Sequence, residues 1–273
     1  MPELPEVETI RCGLQRSLPG RRITAITIQR PSLLNNPPRR FRRCLCNRTF
    51  GAVLRRGKLL ILSLLPDEPA APRYLTVHLR MSGGLTYTAQ ARSDARVIFK
   101  LDNGMQLIYT DQRCLGQLEV VDNWQCLPLV RSMGPEPLEP NFTLACLMQI
   151  LSGSGTPIKN VLLDQHKIAG IGNIYAAEAL FAAGIDPRRP AAGLSHAEAG
   201  KLLAAIKSIL RAAIHCRGTT FNNYRDSRGK QGSFVRRLNV YGRAAAACMQ
   251  CAQPIQRIVQ AGRSTYFCAC CQR

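Results

Sequence analysis

Acidic residues are scarce in this chain. Its 273 residues hold 17 Asp and Glu against 37 Lys and Arg, a formal net charge of +20. The shortage is local as well as global. From Arg11 to Lys58 there are thirteen Lys and Arg and no carboxylate, and from Arg225 to Arg243 six against one Asp. Such a surface fits a polyanionic partner, nucleic acid above all. Long apolar runs are missing too. None approaches the ~20 residues of a membrane span, and the N-terminus has charges where a signal peptide has an apolar core. Neither a basic amphipathic helix nor a lipidation signal is evident, which speaks against a membrane partner. The expected setting is the cytoplasm, where the twelve cysteines are reduced or metal-bound rather than paired. No internal repeat or low-complexity tract is present, so repeat architectures are excluded. The length allows one large domain or two ordinary ones.

What is present changes character near the middle. The first half reads as β: Ile23–Ile28, Leu59–Leu65, Tyr74–Leu79, Arg96–Leu101, Met105–Thr110 and Gln117–Val121 are short apolar runs between turn signals. Asp102-Asn103-Gly104 marks a hairpin between two of them, and the spacing suggests a sandwich or barrel. Three prolines within Pro135–Pro140 suit a semi-rigid hinge. Beyond it the period is helical. Thr156-Pro157 opens a helix over Ile158–Leu163. Gly170-Ile171-Gly172-Asn173 turns into Ile174–Ala183, which stops at Gly184. Ser195 and Glu198 have capping-box spacing, and Leu202, Leu203, Ile206, Ile209, Leu210 and Ile214 form one helical face. Residues 225–234 read as a polar, mobile loop.

Cys248-x2-Cys251-x16-Cys268-x2-Cys271 is the strongest local signal. Paired knuckles at this separation match a four-thiolate zinc site, which is closed and therefore structural. Cys270 has no place in the spacing. Arg263 lies between the knuckles, at a fingertip suited to a phosphate or base contact; an ordinary solvated arginine is the alternative. Gly170–Asn173 at a helix N-terminus offers an anion site, with Asn173 also able to cap. Lys58 follows Arg55-Arg56-Gly57 at the start of a strand, where a solvent-facing role is the ordinary one.

The chain opens MPELPEVETI. Pro5 and the glutamates after it suit a first helical turn. Pro2 precedes the helix and is not explained that way. With Met1 removed, Pro2 carries a free secondary amine of pKa near ~8, against ~10.4 for lysine. Such an amine attacks an aldehyde-level carbon to give an iminium, an established covalent route, with Glu3 adjacent to move protons.

PELPEVET, RRGKLLIL at 55–62, HLRMSG at 78–83, MGPEPL at 133–138, GIGNIYAAEALFAAGI at 170–185, NVYGR at 239–243 and the terminal finger follow in this order. Together they closely resemble the bacterial formamidopyrimidine-DNA glycosylases, over nearly the whole chain. The resemblance implies an α+β, two-domain fold: an N-terminal β-sandwich flanked by helices, and a helical helix–two-turn–helix domain with a four-cysteine zinc finger. The corresponding limits are 1–131, a hinge at 132–140, 141–238, and a finger at 239–273, with DNA in the cleft between domains. It further implies a bifunctional DNA glycosylase and AP lyase of base excision repair, acting on 8-oxoguanine and formamidopyrimidines in double-stranded DNA. One structural Zn2+, no small-molecule cofactor and a monomer at the bacterial nucleoid complete the expectation.

Carried over residue by residue, Pro2 is the nucleophile and Glu3 the general acid/base. Lys58 and Arg263 serve β- and δ-elimination. Lys159 and Asn173 hold phosphates, Met81 and Arg113 fill the void left by the everted nucleotide, and Tyr241 supports the finger. Departures exist. Gln112 stands before Arg113 where the family usually has proline, and Leu115 stands two residues after it in place of phenylalanine. Ser93 occupies a DNA-contact position that is often histidine, and Asn222 one that is often lysine. Competing readings are an endonuclease VIII-like glycosylase for oxidised pyrimidines, a non-catalytic zinc-containing damage-binding protein, and a zinc-ribbon RNA-binding protein.

Overall fold

The computed structural model describes residues 2–65 and 74–273. Met1, and with it the expected loss of the initiator, lies outside the described residues. The chain folds as two compact units, Met1–Arg131 with Cys216–Ser233, and Ser132–His215 with Phe234–Arg273.

In the first unit, alternating apolar residues build eight strands: β1 (Ile23–Ile28), β2 (Phe50–Arg56), β3 (Leu59–Leu64), β4 (Tyr74–His78), β5 (Gly83–Thr88), β6 (Ala95–Leu101), β7 (Gln106–Asp111) and β8 (Gln117–Val121). They form two four-stranded antiparallel sheets, ordered β1-β6-β7-β5 and β2-β3-β4-β8. The inward residues of both sheets, Phe50, Leu62, Val77, Phe99 and Leu107 among them, share one core, the arrangement of a β-sandwich. Helix α1 (Leu4–Gln15) lays Val7, Ile10 and Leu14 into that core. The Asp102–Gly104 hairpin joins β6 to β7 as expected, with Gly104 in the left-handed region at φ 77°.

Three elements of this unit are not evident from the sequence. Strand β2 ends in two arginines and β5 begins with two glycines, which mask their β character. Gly83 is required by packing: a Cβ there would meet the Leu79 carbonyl at 2.4 Å and the Tyr109 hydroxyl at 2.7 Å. Helix α2 (Pro38–Leu45) buries only Phe41 and Leu45, one turn apart, and exposes Arg39, Arg40, Arg42 and Arg43. It is a basic amphipathic helix that the sequence reading omits, but its apolar face is taken up by the sandwich core. A short α3 (Pro128–Arg131) follows β8.

The segment Cys216–Ser233 packs with the first unit, not with the 141–238 stretch in which its sequence position sets it. Local contacts explain this. Tyr224 packs on the sandwich core, and Tyr87 N–H donates to the Ser227 carbonyl at 2.8 Å. A Cβ at Gly13 of α1 would meet Ser227 Oγ at 1.9 Å. The expected mobile loop is thus pinned near its start, where Asp226 and Ser227 are buried. The Asp226 carboxylate also accepts the Arg228 and Lys230 N–H groups.

The second unit holds α4 (Leu144–Leu151), α5 (Ile158–Leu163), α6 (Asn173–Ala183), α7 (His196–His215) and a finger hairpin of β9 (Gln256–Gln260) and β10 (Arg263–Phe267). Ser195 and Glu198 form the expected capping box, with N–H bonds of 2.8 and 3.3 Å. Gly184 ends α6 at φ 71°. The cap of α6 is Gly172, and Asn173 is the first helical residue, which frees its side chain. Pro157 likewise caps α5 rather than starting it. No helix among the described residues is long and apolar enough to cross a membrane.

Helix α6 is buried almost all round, and Glu178 at its middle is 1% exposed. Its carboxylate accepts the backbone N–H groups of Asn239, Val240 and Tyr241 at 2.8–2.9 Å and the Asn239 side-chain amide at 3.1 Å. Removing it strands those donors. Glu178→Ala should destabilise this unit by on the order of 3 kcal/mol, since bonds to a charged group contribute roughly 1.5–3 kcal/mol and orphaned donors add a penalty. A lowered urea midpoint in chemical denaturation is the expected result, and an unchanged midpoint would count against the role.

Candidate active site and metal centre

The start of α1 is fixed by one carboxylate. Pro2 and Glu3 are buried, and Glu3 has extended backbone at the helix cap. The Glu3 N–H donates to one oxygen of Glu6 at 2.7 Å, and the Thr219 N–H donates to the other at 2.7 Å. Glu6 is 1% exposed. Gly218 beside it has φ 80°, and a Cβ there would meet the Glu6 carboxylate at 2.7 Å, so only glycine lets this backbone approach.

The next turn of α1 is tied to the β2–β3 hairpin. Glu8 accepts from Arg11 and from Arg55 of β2, both ion pairs at 2.8 Å. Burial alone would push the Glu8 carboxyl up, but the hydrogen bonds from Arg11 and Arg55 outweigh it and hold the carboxyl below its ordinary range. Arg55 also donates to the Gly57 carbonyl at 3.0 Å, closing the turn that presents Lys58. Lys58 is 9% exposed rather than solvated. Opposite the neighbouring Leu59, β4 ends at His78, whose Nδ1 accepts the Arg80 N–H at 3.1 Å. Burial first, then the charges of Arg80 and Lys58, push the His78 pKa down to about 4.

Met81 and Leu115 are exposed apolar side chains, on the β4–β5 and β7–β8 loops, and Arg113 stands exposed beside Leu115. The structure joins the two loops: the Arg113 N–H donates to Ser82 Oγ at 3.1 Å. A polar cavity of about 250 Å³ is lined by Arg92, Asp94, Thr110, Asn222, Asn223 and Arg225. Ser93 is exposed between Arg92 and Asp94, which pair with each other at 2.8 Å.

In the second unit, Cys248, Cys251, Cys268 and Cys271 bring their sulfurs within 4.8 Å of one another. Cys248 and Cys271 are 3.9 Å apart, Cys251 and Cys268 3.4 Å. Four thiolates ~2.3 Å from a tetrahedral zinc stand roughly 3.8 Å apart, so the donor set fits that ion. Cys270 is exposed and outside the cluster. Arg263 is exposed at the tip of the hairpin, after Ala261 and Gly262 at φ 46° and 71°. Lys159 is fully buried. Its ammonium donates to Ser264 O at 3.0 Å and Thr265 Oγ1 at 2.6 Å, and Asn173 Nδ2 reaches the same Ser264 carbonyl at 3.0 Å. Both side chains therefore brace the strand that carries Arg263. Tyr241 stacks edge-on against Tyr266 of β10, ring centroids 5.1 Å apart.

A β-sandwich that opens on a buried Pro2-Glu3 pair, a helical unit with a four-cysteine finger and a strongly basic composition define a zinc-finger DNA glycosylase. Models of the formamidopyrimidine-DNA glycosylase N-terminal domain, of the H2TH domain of the same enzymes, and of the zinc finger found in FPG and IleRS match residues 1–118, 133–225 and 247–273. The chain belongs to the formamidopyrimidine-DNA glycosylase family, the DNA glycosylases of oxidised-purine repair. It is 44% identical over 276 residues to the formamidopyrimidine-DNA glycosylase of Chloroflexus aurantiacus, covering 100% of this chain and 98% of that one. The crystal structure of MutM (Fpg) from Thermus thermophilus superposes with a TM-score of 0.88 at 36% identity, covering 99% and 98% of the two chains. Two complexes of wild-type Lactococcus lactis Fpg, one with DNA containing N7-benzyl-Fapy-dG and one with DNA containing an oxidised pyrimidine, each give 0.90 at 34% identity over the full length of both chains.

Sequence reasoning missed Glu6, His78 and Glu178 as structural actors. Glu6 reads as an ordinary first-turn acid, and nothing local shows that residue 219 will reach it. His78 lies within a quoted motif, but its partial burial is a tertiary fact. His78 should remain neutral through the physiological range, titrating near 4 by NMR of its ring protons. An unfolded histidine titrates near ~6.5, so the folded form binds fewer protons between those values. The contribution to stability is complete above ~6.5 and is lost as pH falls toward 4. His78→Gln should flatten that part of the stability curve; a titration midpoint near 6.5 would contradict the burial argument.

Proposed function

We propose that the chain excises oxidised purines from duplex DNA and then nicks the strand, acting as a monomer without a small-molecule cofactor. The locking of Pro2 and Glu3 by the buried Glu6 carboxylate is the observation that carries this reading. A nucleophile must be held at a fixed approach to its carbon, and the positive end of the α1 dipole beside Pro2 disfavours the protonated amine. The lone pair of the Pro2 nitrogen bonds to the sugar C1′ while the C1′–base bond breaks, and the base leaves with the bonding pair and a proton. Glu3 moves protons during this step. Opening of the sugar ring leaves an iminium between Pro2 and C1′. That cation acidifies C2′, whose proton departs as the C3′–oxygen bond breaks and the 3′ phosphate leaves. Loss of the 5′ phosphate follows by δ-elimination, and water releases the amine. Lys58 assists the first elimination and Arg263 the second, roles that rest on the family resemblance.

The target must first leave the stack, at roughly a few kcal/mol. Met81, Arg113 and Leu115 fill the gap, and the basic surface holds the backbone. Lys159, Asn173 and Tyr241 serve DNA binding through the hairpin they support, and Ser93 touches the duplex. A single zinc on Cys248, Cys251, Cys268 and Cys271 fixes that hairpin, and metal adds no chemistry at the sugar. The oxidised-pyrimidine complex of the Lactococcus lactis relative favours a second, broader reading, in which pyrimidine lesions are accepted as well.

Borohydride trapping on an 8-oxoguanine·C duplex should give a covalent complex that Pro2→Gly abolishes while DNA binding survives. Trapping that persists in Pro2→Gly would assign the nucleophile elsewhere. Faster turnover of a thymine-glycol duplex would shift the preference to pyrimidines. Metal analysis should return one zinc per chain, lost with DNA affinity in Cys251→Ala and kept in Cys270→Ala; full activity in zinc-free protein would contradict the bracing role.

A further inference from the structure

We propose that Asp111 is the positioning residue of the base-eversion wedge, a single buried carboxylate that sets Met81, Arg113 and Leu115 as one rigid device. The inference rests on the reading of those three side chains as void fillers. Asp111 ends β7 and is 1% exposed. One of its oxygens accepts the Ser82 hydroxyl at 2.5 Å and the Arg113 N–H at 3.2 Å. The other accepts the N–H groups of Leu115 at 3.0 Å and Gly116 at 2.8 Å, and the Tyr109 hydroxyl at 3.3 Å. Four donors from two loops and one from β7 converge on one group. Ser82, bonded to both Asp111 and the Arg113 N–H, follows Met81 directly, so the β4–β5 and β7–β8 loops are joined through it.

Two further facts show that the loops need such a tie. Each holds a non-glycine residue in the left-handed region next to a wedge residue: Arg80 before Met81 and Cys114 between Arg113 and Leu115, both at φ 50°. Strained backbone of this kind persists only where surrounding bonds over-determine it. Tyr109 closes the cradle from below. A Cβ at Gly83, the first residue of β5, or at Gly116 would meet its hydroxyl at 2.7 or 1.7 Å, so glycine is required at both positions. A wedge inserted into a base stack transmits force only if it cannot fold back, and both wedge side chains of the β7–β8 loop are exposed. The backbone bonds to Asp111 supply the missing rigidity.

The carboxylate is chemically required. All five partners donate, and both oxygens are needed as acceptors. Asparagine has the same shape but offers one acceptor, so its NH2 faces either the Arg113 amide or the Leu115 and Gly116 amides.

Stopped-flow fluorescence of 2-aminopurine beside 8-oxoguanine, with full-length protein, reads base eversion directly. Asp111→Asn should slow the eversion phase about tenfold or more, the scale of one lost charge-assisted bond. Cleavage of a preformed abasic duplex, which needs no base eversion, should change far less. Ser82→Ala, which removes only the tie between loops, should slow eversion by a smaller factor with an unchanged melting temperature, and it decides the matter if Asp111→Asn does not fold. Arg113→Ala and Leu115→Ala are the reference variants. If they slow eversion while Ser82→Ala and a folded Asp111→Asn do not, the positioning role is wrong. Equal loss on both substrates overturns it too. If the reference variants leave eversion unchanged, the wedge reading fails and this inference falls with it.

Discussion

The Glu6 carboxylate is the constraint on which the catalytic end of the first unit depends. It accepts one N–H from Glu3 and one from Thr219, residues 216 apart in sequence. The first bond fixes the Pro2-Glu3 start relative to helix α1. The second draws the 216–233 segment out of its sequence neighbourhood and onto the β-sandwich. A buried charge of this kind is tolerated only when its lone pairs are satisfied, and Gly218 exists to let the backbone come close enough. Pro2 and Glu3, the proposed nucleophile and acid/base, and the segment bearing Asn222 and Asn223 therefore share one anchor.

The same device recurs. Asp111 gathers the donors of two loops, and Glu178 gathers the backbone of residues 239–241. Seven of the seventeen acids are buried among the described residues: Glu3, Glu6, Asp111, Glu136, Glu178, Asp186 and Asp226. Among the cations of the described residues, only Lys58 and Lys159 are buried. The scarcity of acid is thus sharper at the surface than the composition states. Carboxylates inside organise backbone amides, while arginines such as the four of α2 lie exposed at the surface. Long-range attraction and local precision use opposite charges in different places, so neither screens the other.

Family membership does not fix every contact. Lys159 and Asn173 fill positions that the family resemblance links to phosphates, yet in this chain both donate to the Ser264 carbonyl of β10. Both side chains thereby brace the strand that begins at Arg263. Likewise, Gln112 replaces a usual proline, and its side chain accepts from Asn223 at 2.7 Å. This links the loop carrying Arg113 to the 216–233 segment.

Several features were legible in the sequence because their signals are local. The zinc knuckles, the Asp102–Gly104 hairpin, the Ser195–Glu198 capping box and the Gly184 stop each need only a few adjacent residues. Pro2 drew attention because no local rule explains it. The strands β2 and β5 and the helix α2 escaped, since arginine pairs, glycines and a two-residue apolar stripe hide elements that tertiary packing stabilises. The return of 216–233 to the first unit, the inward turn of Lys159, the depressed His78 and the five-donor cradle of Asp111 were decided by the tertiary structure alone. Burial and long-range partners set a carboxylate's role, and nothing in the chain near Glu6, Asp111 or Glu178 encodes which distant amides will meet them.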